Sequence, residues 1–315
     1  MKVKVILNPY ARRWTARQRI PEVQAALKAA GIEYDLSLSN APGHAISLAA
    51  TAALDSFDAI IAAGGDGTIS EVVNGLCQAA NVKEGGVIQV PLGVIPLGSA
   101  NDLVINLGLP KTVEAAPMIF SKVKTRLIDL GHLRYQPTRT NDAGWKECFF
   151  DNNSAIGLEP TITLIQQEIT WLHGTLRYLL ATLIGIRRNP KWSLHLEWEG
   201  GSYEGPSTLV TVGNSPLTGG LFFMTPHADP ADGKLTFVHG YMSGRTQILK
   251  LLPRTMKSGA GSYVEHPSIH EIHSRWLRLR VDEPTPIHAD GEIQSREVME
   301  AEYQVFPAKL PVLVP

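Results

Sequence analysis

The sequence predicts two domains: an N-terminal α/β domain with a parallel sheet over about residues 1 to 130, then a β-rich, largely antiparallel domain. Three observations lead there. At 315 residues the chain exceeds what one core usually organises, since single cores stop growing at about 250 to 300 residues. Up to Leu130, short apolar runs alternate with helical patterns. Beyond it, period-two alternation punctuated by Gly, Pro and Asp takes over.

In the first domain Val3 to Leu7 reads as a strand, its apolar run being too short for the core of a signal peptide. A helix enters at Pro21 and closes at Gly31. A strand near Tyr34 to Leu38, a helix from about Ala45 and a buried strand from Asp58 to Ala63 follow. Ile69, Val72, Val73 and Leu76 then recur at helical spacing, ahead of a strand over Gly93 to Pro96 and a helix opening near Asn101. Strands alternating with helices predict a parallel sheet covered on both faces.

In the second domain, over 131–296, strands are predicted at Trp192 to Trp198, Thr208 to Val212, Leu235 to Val238 and Trp276 to Val281. Helical patterns interrupt them from about Leu172 to Arg188 and from about Arg245 to Ser258. The C-terminal segment, 297–315, is expected to return to the first domain.

Charge narrows the partners. Lys+Arg 29 against Asp+Glu 30 leaves a net charge of -1, without the basic excess that a nucleic-acid backbone demands. Cys77 and Cys148 stand far apart and outside any Cys-x-x-Cys spacing, which argues against a disulfide framework or structural zinc and fits a cytoplasmic setting. The longest greasy stretch, Tyr178 to Ile186, falls short of the roughly 20 apolar residues that span a bilayer. A transient contact with the membrane surface is compatible with this; a span is not. No feature of the sequence fixes a homo-oligomer.

Gly64-Gly65-Asp66-Gly67-Thr68 lies between a predicted strand and a predicted helix, where backbone N–H groups and the helix dipole favour an anion such as phosphate. Asp66 could orient a divalent cation, and Thr68 could cap the helix or donate its hydroxyl. The same residues also suit an ordinary tight βα turn. A second turn, Gly98-Ser99-Ala100-Asn101-Asp102, follows the next strand and so belongs to the same carboxyl edge of the sheet, where open α/β sheets bind ligands.

The pair of turns resembles the diacylglycerol kinase catalytic-domain family, which includes sphingosine kinases and bacterial lipid kinases and has NAD kinases as wider relatives. The resemblance runs through Asn8-Pro9, Ser39 with Gly43, both turns, Ile128-Asp129-Leu130-Gly131, Ala231-Asp232-Gly233 and Asp290-Gly291-Glu292, almost the whole chain. It implies an NAD-kinase/diacylglycerol-kinase-like α/β nucleotide-binding domain followed by an antiparallel β-sandwich domain. It also implies ATP held by Ser39, by the segment Gly65 to Glu71 and by Ser99, with Asn8, Gly64 and Asn101 nearby. Two departures stand out: Tyr10, Ala11 and Arg12 replace the family's Ser-Gly continuation after Asn-Pro, and Ser99 replaces its usual Thr while keeping the hydroxyl.

Phosphoryl transfer asks mainly for positioning and charge neutralisation, with a group to take the proton of the attacking hydroxyl. Asp290-Gly291 read locally is a hairpin turn. The resemblance instead implies that Asp290 is the catalytic base, oriented or polarised by Glu292, in a cleft between the domains. Asp229-Pro230-Ala231-Asp232-Gly233-Lys234 likewise reads as a solvated turn, although carboxylates with turn carbonyls are oxygen ligands that magnesium favours. Similar lipid kinases hold a structural Mg2+ in this loop, which implies Asp232 as its side-chain ligand and main-chain oxygen from Asp229 and Lys234, while the catalytic Mg2+ would instead accompany ATP. His266, His270 and His273 have no His-Glu-x-x-His companion and read as exposed strand and loop residues.

Trp171, Leu172, Leu176, Leu179, Leu180, Leu183 and Ile184 form an apolar helical face with Arg177, Arg187 and Arg188 at its ends. Core packing is its first use; the resemblance adds a hydrophobic acceptor pocket in this domain and contact with anionic lipid surfaces. The expected activity is transfer of the γ-phosphate of ATP to the hydroxyl of a membrane lipid, diacylglycerol first. Its rivals are an NAD kinase-like phosphotransferase and a noncatalytic nucleotide-dependent lipid-binding protein.

Overall fold

The structure, a computed structural model, describes residues 1–11, 15–138, 144–172, 174–188 and 191–315. Met1–Leu130 with Pro307–Pro315 form one unit, and Gly131–Phe306 a second.

The chain runs through β1 (Lys2–Leu7), α1 (Ile20–Ala29), β2 (Glu33–Leu38), α2 (His44–Ala52), β3 (Ala59–Gly64), α3 (Asp66–Ala79), β4 (Leu92–Pro96), α4 (Asp102–Asn106), α5 (Pro117–Phe120) and β5 (Thr125–Pro137). The second unit adds β6 (Lys146–Phe150), β7 (Asn153–Gly157), α6 (Leu158–Glu168), α7 (Gly174–Arg188), β8 (Trp192–Trp198), β9 (Gly201–Ser207) and β10 (Leu209–Gly213). Two-residue strands β11 (Leu217–Thr218) and β12 (Phe222–Phe223) lead to β13 (Leu235–Gly240), α8 (Arg245–Leu251), β14 (Ile269–Ser274), β15 (Trp276–Ala289) and β16 (Glu292–Leu313).

In the first unit β1 pairs in parallel with β2 on one side and β3 on the other, β3 pairs in parallel with β4, and Val312 of β16 pairs in parallel with Leu92. Every residue of β3 is buried, as a strand covered on both faces must be. The sheet grows first one way and then the other from β1, so the carboxyl ends of β1 and β3 flank a topological switch point. Ile69, Val72, Val73 and Leu76 are all buried on α3, as their spacing predicts.

In the second unit the antiparallel run β14-β13-β10-β7 continues into β15 through Ile287–Ala289, whereas Leu277–Val281 of the same strand pair with β8, and β8 with β9. Register irregularities between Arg280 and His288 fall where β15 changes partners, the usual work of a bulge. Phe150, Leu196, Phe237 and Tyr303 anchor the core of this unit. A smaller apolar cluster gathers α6, α7 and α8 through Leu158, Ile162, Ala181, Ile186, Ile248 and Leu251.

Three boundaries differ from the sequence reading. The helix expected over Arg245 to Ser258 ends at Leu251 and tightens into a 3-10 turn, Leu252–Met256, because Pro253 has no N–H to continue the ladder. The strand expected over Trp276 to Val281 runs on to Ala289. Pro307–Pro315 alone belong to the first unit rather than all of 297–315, since Val298 still pairs with Thr285 and Gln304 with Trp276.

Candidate active site

All ten residues expected around a nucleotide lie at the carboxyl edge of the parallel sheet or in the helix rising from it: Asn8 after β1, Ser39 after β2, Gly64, Gly65, Asp66, Gly67, Thr68 and Glu71 at the end of β3 and on α3, and Ser99 and Asn101 after β4. Asn8 Nδ2 donates to Thr68 Oγ1 at 3.2 Å, and Asn8 Oδ1 accepts the Tyr10 N–H at 2.9 Å. Ser39 is buried, its N–H donating to the Leu7 carbonyl at 2.9 Å, while Ser99 is exposed. Arg12 lies outside the described residues.

Asp66 joins the two glycine turns. Its Oδ2 accepts the Asn101 N–H at 2.9 Å and its Oδ1 the Asp102 N–H at 2.6 Å. Both oxygens therefore serve backbone amides rather than aiming wholly at a cation. Burial raises the Asp66 carboxyl above its ordinary range, and the backbone donors of Asp102 and Asn101 partly oppose that shift. Asn101 sits at φ 54°, and its side chain closes the second turn by accepting the Gly98 N–H at 3.0 Å. The turns touch backbone to backbone: a Cβ on Gly98 would stand 2.5 Å from the Gly65 Cα. Glu71 is also engaged, its two oxygens accepting the N–H groups of Gly43 and Ala45 at 2.8 and 3.0 Å, which ties α3 to the start of α2.

In the second unit Asp290-Gly291 is a hairpin turn between β15 and β16, with φ 46° and 78°, and it also turns a buried carboxylate inward. Asp290 Oδ1 accepts the N–H groups of Asn152 and Asn153 at 3.0 and 3.1 Å, and Oδ2 that of Asp151 at 3.2 Å. The side chain is held rigidly by three amides of one loop. Glu292 is exposed and pairs through its backbone with Ala289.

Asp229, Asp232 and Lys234 lie in an exposed turn before β13. Asp229 Oδ1 accepts the Ala231 N–H at 3.0 Å and Asp232 Oδ1 the Lys234 N–H at 2.9 Å. Among the described residues no three His, Cys, Asp or Glu side chains gather as a metal cluster. An ion here would lean on main-chain oxygen. Neither cysteine forms a disulfide among the described residues, Cys77 being buried and Cys148 partly so. His270 and His273 are exposed on β14, as read from the sequence, while His266 is partly buried.

One acidic residue escaped the sequence reading. Glu159, in the first turn of α6, is only 7% exposed. Its Oε1 accepts Asn153 Nδ2 at 2.9 Å and lies 3.2 Å from His288 Nε2, so Asn153 links it to Asp290. An acid set among Ala155, Ile156, Gly157, Leu158 and Pro160 was the available signal. Gly157 makes the turn from β7 into α6 at φ 93°, where a Cβ would meet the Trp192 ring at 2.8 Å. Glu159 lines an apolar cavity of about 80 Å³ walled by Ile162, Tyr178, Phe222, Met224, Ile248 and Ile269.

The apolar face of α7 divides. Leu180 and Ile184, with Leu172 before the helix, pack on the α6–α8 cluster, whereas Trp171, Leu176 and Leu183 are 71%, 65% and 49% exposed, with Arg187 and Arg188 also exposed. No helix among the described residues is long and apolar enough to cross a membrane.

This pairing of a parallel α/β unit with an antiparallel β-rich unit is the fold of diacylglycerol kinase-like and NAD kinase-like proteins. A diacylglycerol kinase from Bacillus anthracis str. Sterne superposes with a TM-score of 0.71 at 19% identity, covering 100% of this chain and 97% of that one. A yeast NADH kinase superposes at 0.55 and 11% identity, covering 100% and 84%. The chain belongs to the diacylglycerol kinase catalytic domain family: the family profile "Diacylglycerol kinase catalytic domain" matches residues 2–133, and "YegS C-terminal NAD kinase beta sandwich-like domain" matches 153–314, more than half of the chain. Curated relatives named diacylglycerol kinase include one from Mycobacterium tuberculosis (strain ATCC 25618 / H37Rv), 28% identical over 316 residues, covering 100% of this chain and 95% of the relative. Another, from Bacillus subtilis (strain 168), is 26% identical over 294 residues, covering 92% and 89%. Membership makes the chain a kinase of the lipid-kinase type.

Proposed function

We propose that this kinase uses ATP and moves its γ-phosphate to the hydroxyl of a membrane lipid, diacylglycerol being the first candidate. The observation that carries the reading is the pair of glycine turns locked together by Asp66 at the carboxyl edge of the parallel sheet. The N-terminus of the 14-residue helix α3 meets that edge, so its dipole favours the negative charge of phosphates. The bare approach of Gly65 to Gly98 keeps Cβ atoms out of the way of a phosphate chain.

In this reading Asn8, Ser39, Thr68, Ser99 and Asn101 bind and orient the nucleotide, with Asp66 and Glu71 holding the turns in shape. Asp290 accepts the proton of the attacking lipid hydroxyl, and its fixation by three amides means that no reorganisation is needed at that moment. Glu292 polarises it from the far side of the hairpin. The exposed Asp229–Lys234 turn offers the hard oxygen donors that suit Mg2+, with Asp232 as side-chain ligand and Asp229 and Lys234 contributing main-chain oxygen. Such an ion would be structural, fixing the turn, and a separate Mg2+ accompanying ATP would supply charge neutralisation; every proton and phosphate contact above belongs to the chain's own residues. The apolar cavity beside α6 and α7 takes the lipid's hydrocarbon, and the exposed Trp171, Leu176 and Leu183 meet the membrane surface.

The test is incubation with γ-labelled ATP over a total-lipid extract and, separately, over NAD, with Asp290→Asn as control. Label in a lipid, lost in the variant, is the expected result. Label in NAD alone, or nucleotide binding with no transfer to any acceptor, would overturn the reading.

A further inference from the structure

The ladder that joins the end of β15 to β7 is short: Ile287, His288 and Ala289 stand opposite Ile156, Ala155 and Ser154. On its other side, against β16, β15 is irregular in register between Arg280 and His288. Such irregularities disrupt a ladder locally, so backbone pairing alone sets the last residues of β15 loosely. Side chains make up the difference. Glu159 Oε1 accepts Asn153 Nδ2 at 2.9 Å and hydrogen-bonds His288 Nε2 at 3.2 Å. Asn153 opens β7 and His288 lies on β15, so one carboxylate oxygen grips both strands. The ring closes on Asp290, whose Oδ1 accepts the Asn153 N–H at 3.1 Å and which stands two residues beyond His288. Asn153 and His288 are 1% exposed, and Glu159 and Asp290 7%, so water does not compete for these bonds. Glu159 Oε2 and His288 Nδ1 have no hydrogen-bond partner among the described residues, so the grip acts through Oε1.

We propose that Glu159 is a positioning residue for the phosphoryl transfer: by clamping Asn153 to His288 it fixes the loop and the strand that aim Asp290, and so sets turnover rather than lipid affinity. This rests on the lipid-kinase reading, in which Asp290 takes the proton of the acceptor hydroxyl. Loss of the clamp leaves the amides of Asp151, Asn152 and Asn153 able to hold Asp290 but lets their loop drift against β15. A displacement of about 1 Å at a reacting group costs about 10²-fold in rate.

The experiment is steady-state transfer from γ-labelled ATP to dioctanoylglycerol in detergent micelles, with the full chain, Glu159→Leu, Glu159→Gln and Asn153→Ala. Rates are taken per folded molecule, and hydrogen exchange of the Asp151 to Asn153 amides is followed alongside. Glu159→Leu and Asn153→Ala should each lower kcat by about 10- to 100-fold, with KM for the lipid within about threefold of wild type. Both should speed exchange of the loop amides while those of β8 keep the wild-type rate. Glu159→Gln keeps an oxygen in the place of Oε1 and should restore kcat to within about threefold of wild type. A role in stability alone would lower the folded fraction and leave kcat per folded molecule unchanged, which overturns the proposal. A loss in Glu159→Gln as large as in Glu159→Leu also overturns it, since the effect would then follow charge and not the clamp. Asn153→Ala keeps the backbone N–H that Asp290 accepts and decides the matter where Glu159→Leu does not fold. No transfer to lipid by the wild-type chain overturns the kinase reading itself; unchanged amide exchange in the variants overturns the clamp whatever the acceptor.

Discussion

Asp290 and Asn153 hold one another reciprocally: the Asp290 N–H donates to the Asn153 carbonyl at 2.7 Å, and Asp290 Oδ1 accepts the Asn153 N–H in return at 3.1 Å. The carboxylate thus organises the Asp151–Asn153 loop as well as serving as proton acceptor in the proposed reaction. Asp290→Asn removes the charge and can turn an NH2 toward one of three backbone donors. The expected loss is about 1 to 3 kcal/mol of stability and about 10²- to 10⁴-fold in turnover per folded molecule. Denaturant unfolding alongside rate measurement separates the two; an unchanged rate would remove Asp290 from the chemistry.

Gly98→Ala tests the contact between the glycine turns. The new Cβ would lie 2.5 Å from the Gly65 Cα, a backbone atom that no rotamer change can move aside. The turns must separate, straining the amide bonds to Asp66. We expect a stability loss of about 1 to 3 kcal/mol, and nucleotide affinity falling further than that loss explains. Retention of both wild-type values would mean that the turns are not held at this distance.

Much of the first unit was legible because its signals are local: Pro21 and Gly31 bracket α1, and Ile69, Val72, Val73 and Leu76 announce the buried face of α3. Asp290-Gly291 was legible locally as a turn, because the Asp-Gly pair supplies the positive φ that such a turn needs; the inward set of its carboxylate was not, since the amides that hold it come from Asp151 to Asn153. Nor were the roles of Asp66 and Glu71. Their partners, Asn101 with Asp102 and Gly43 with Ala45, are brought to them by sheet order, which no window of sequence contains. Glu159 escaped for the same reason, since its cavity is assembled from α6, α7, α8 and four strands.

Leu176→Asp with Leu183→Asp probes the membrane surface. Both leucines are exposed on α7, so the pair of substitutions should shift stability by no more than about 0.5 kcal/mol each. Insertion of each into the acyl boundary would contribute about 1.5 to 3 kcal/mol. Sedimentation with anionic vesicles should therefore show at least about tenfold weaker association, with activity on a short-chain, micelle-dispersed substrate retained. Unaltered sedimentation would assign this face to something other than lipid.

His239 gives the second unit an acid limit. It is buried on β13, its ring 4.5 Å from that of Tyr203 and 5.1 Å from that of His270. Burial first, then the neighbouring His270, lowers its pKa from 6.5 to about 4. Between those values the unfolded chain binds a proton that the folded chain refuses. Stability from this group is therefore full above pH 6.5 and is lost as pH falls toward 4, by about 1.4 kcal/mol per pH unit and about 3 kcal/mol in all. His239→Phe keeps an aromatic ring against Tyr203 and removes the titration. Urea unfolding of the two chains from pH 7 to pH 4.5 should show the variant losing less stability with acid than the wild type. Parallel curves would mean that His239 takes up its proton in the folded state as readily as in the unfolded one.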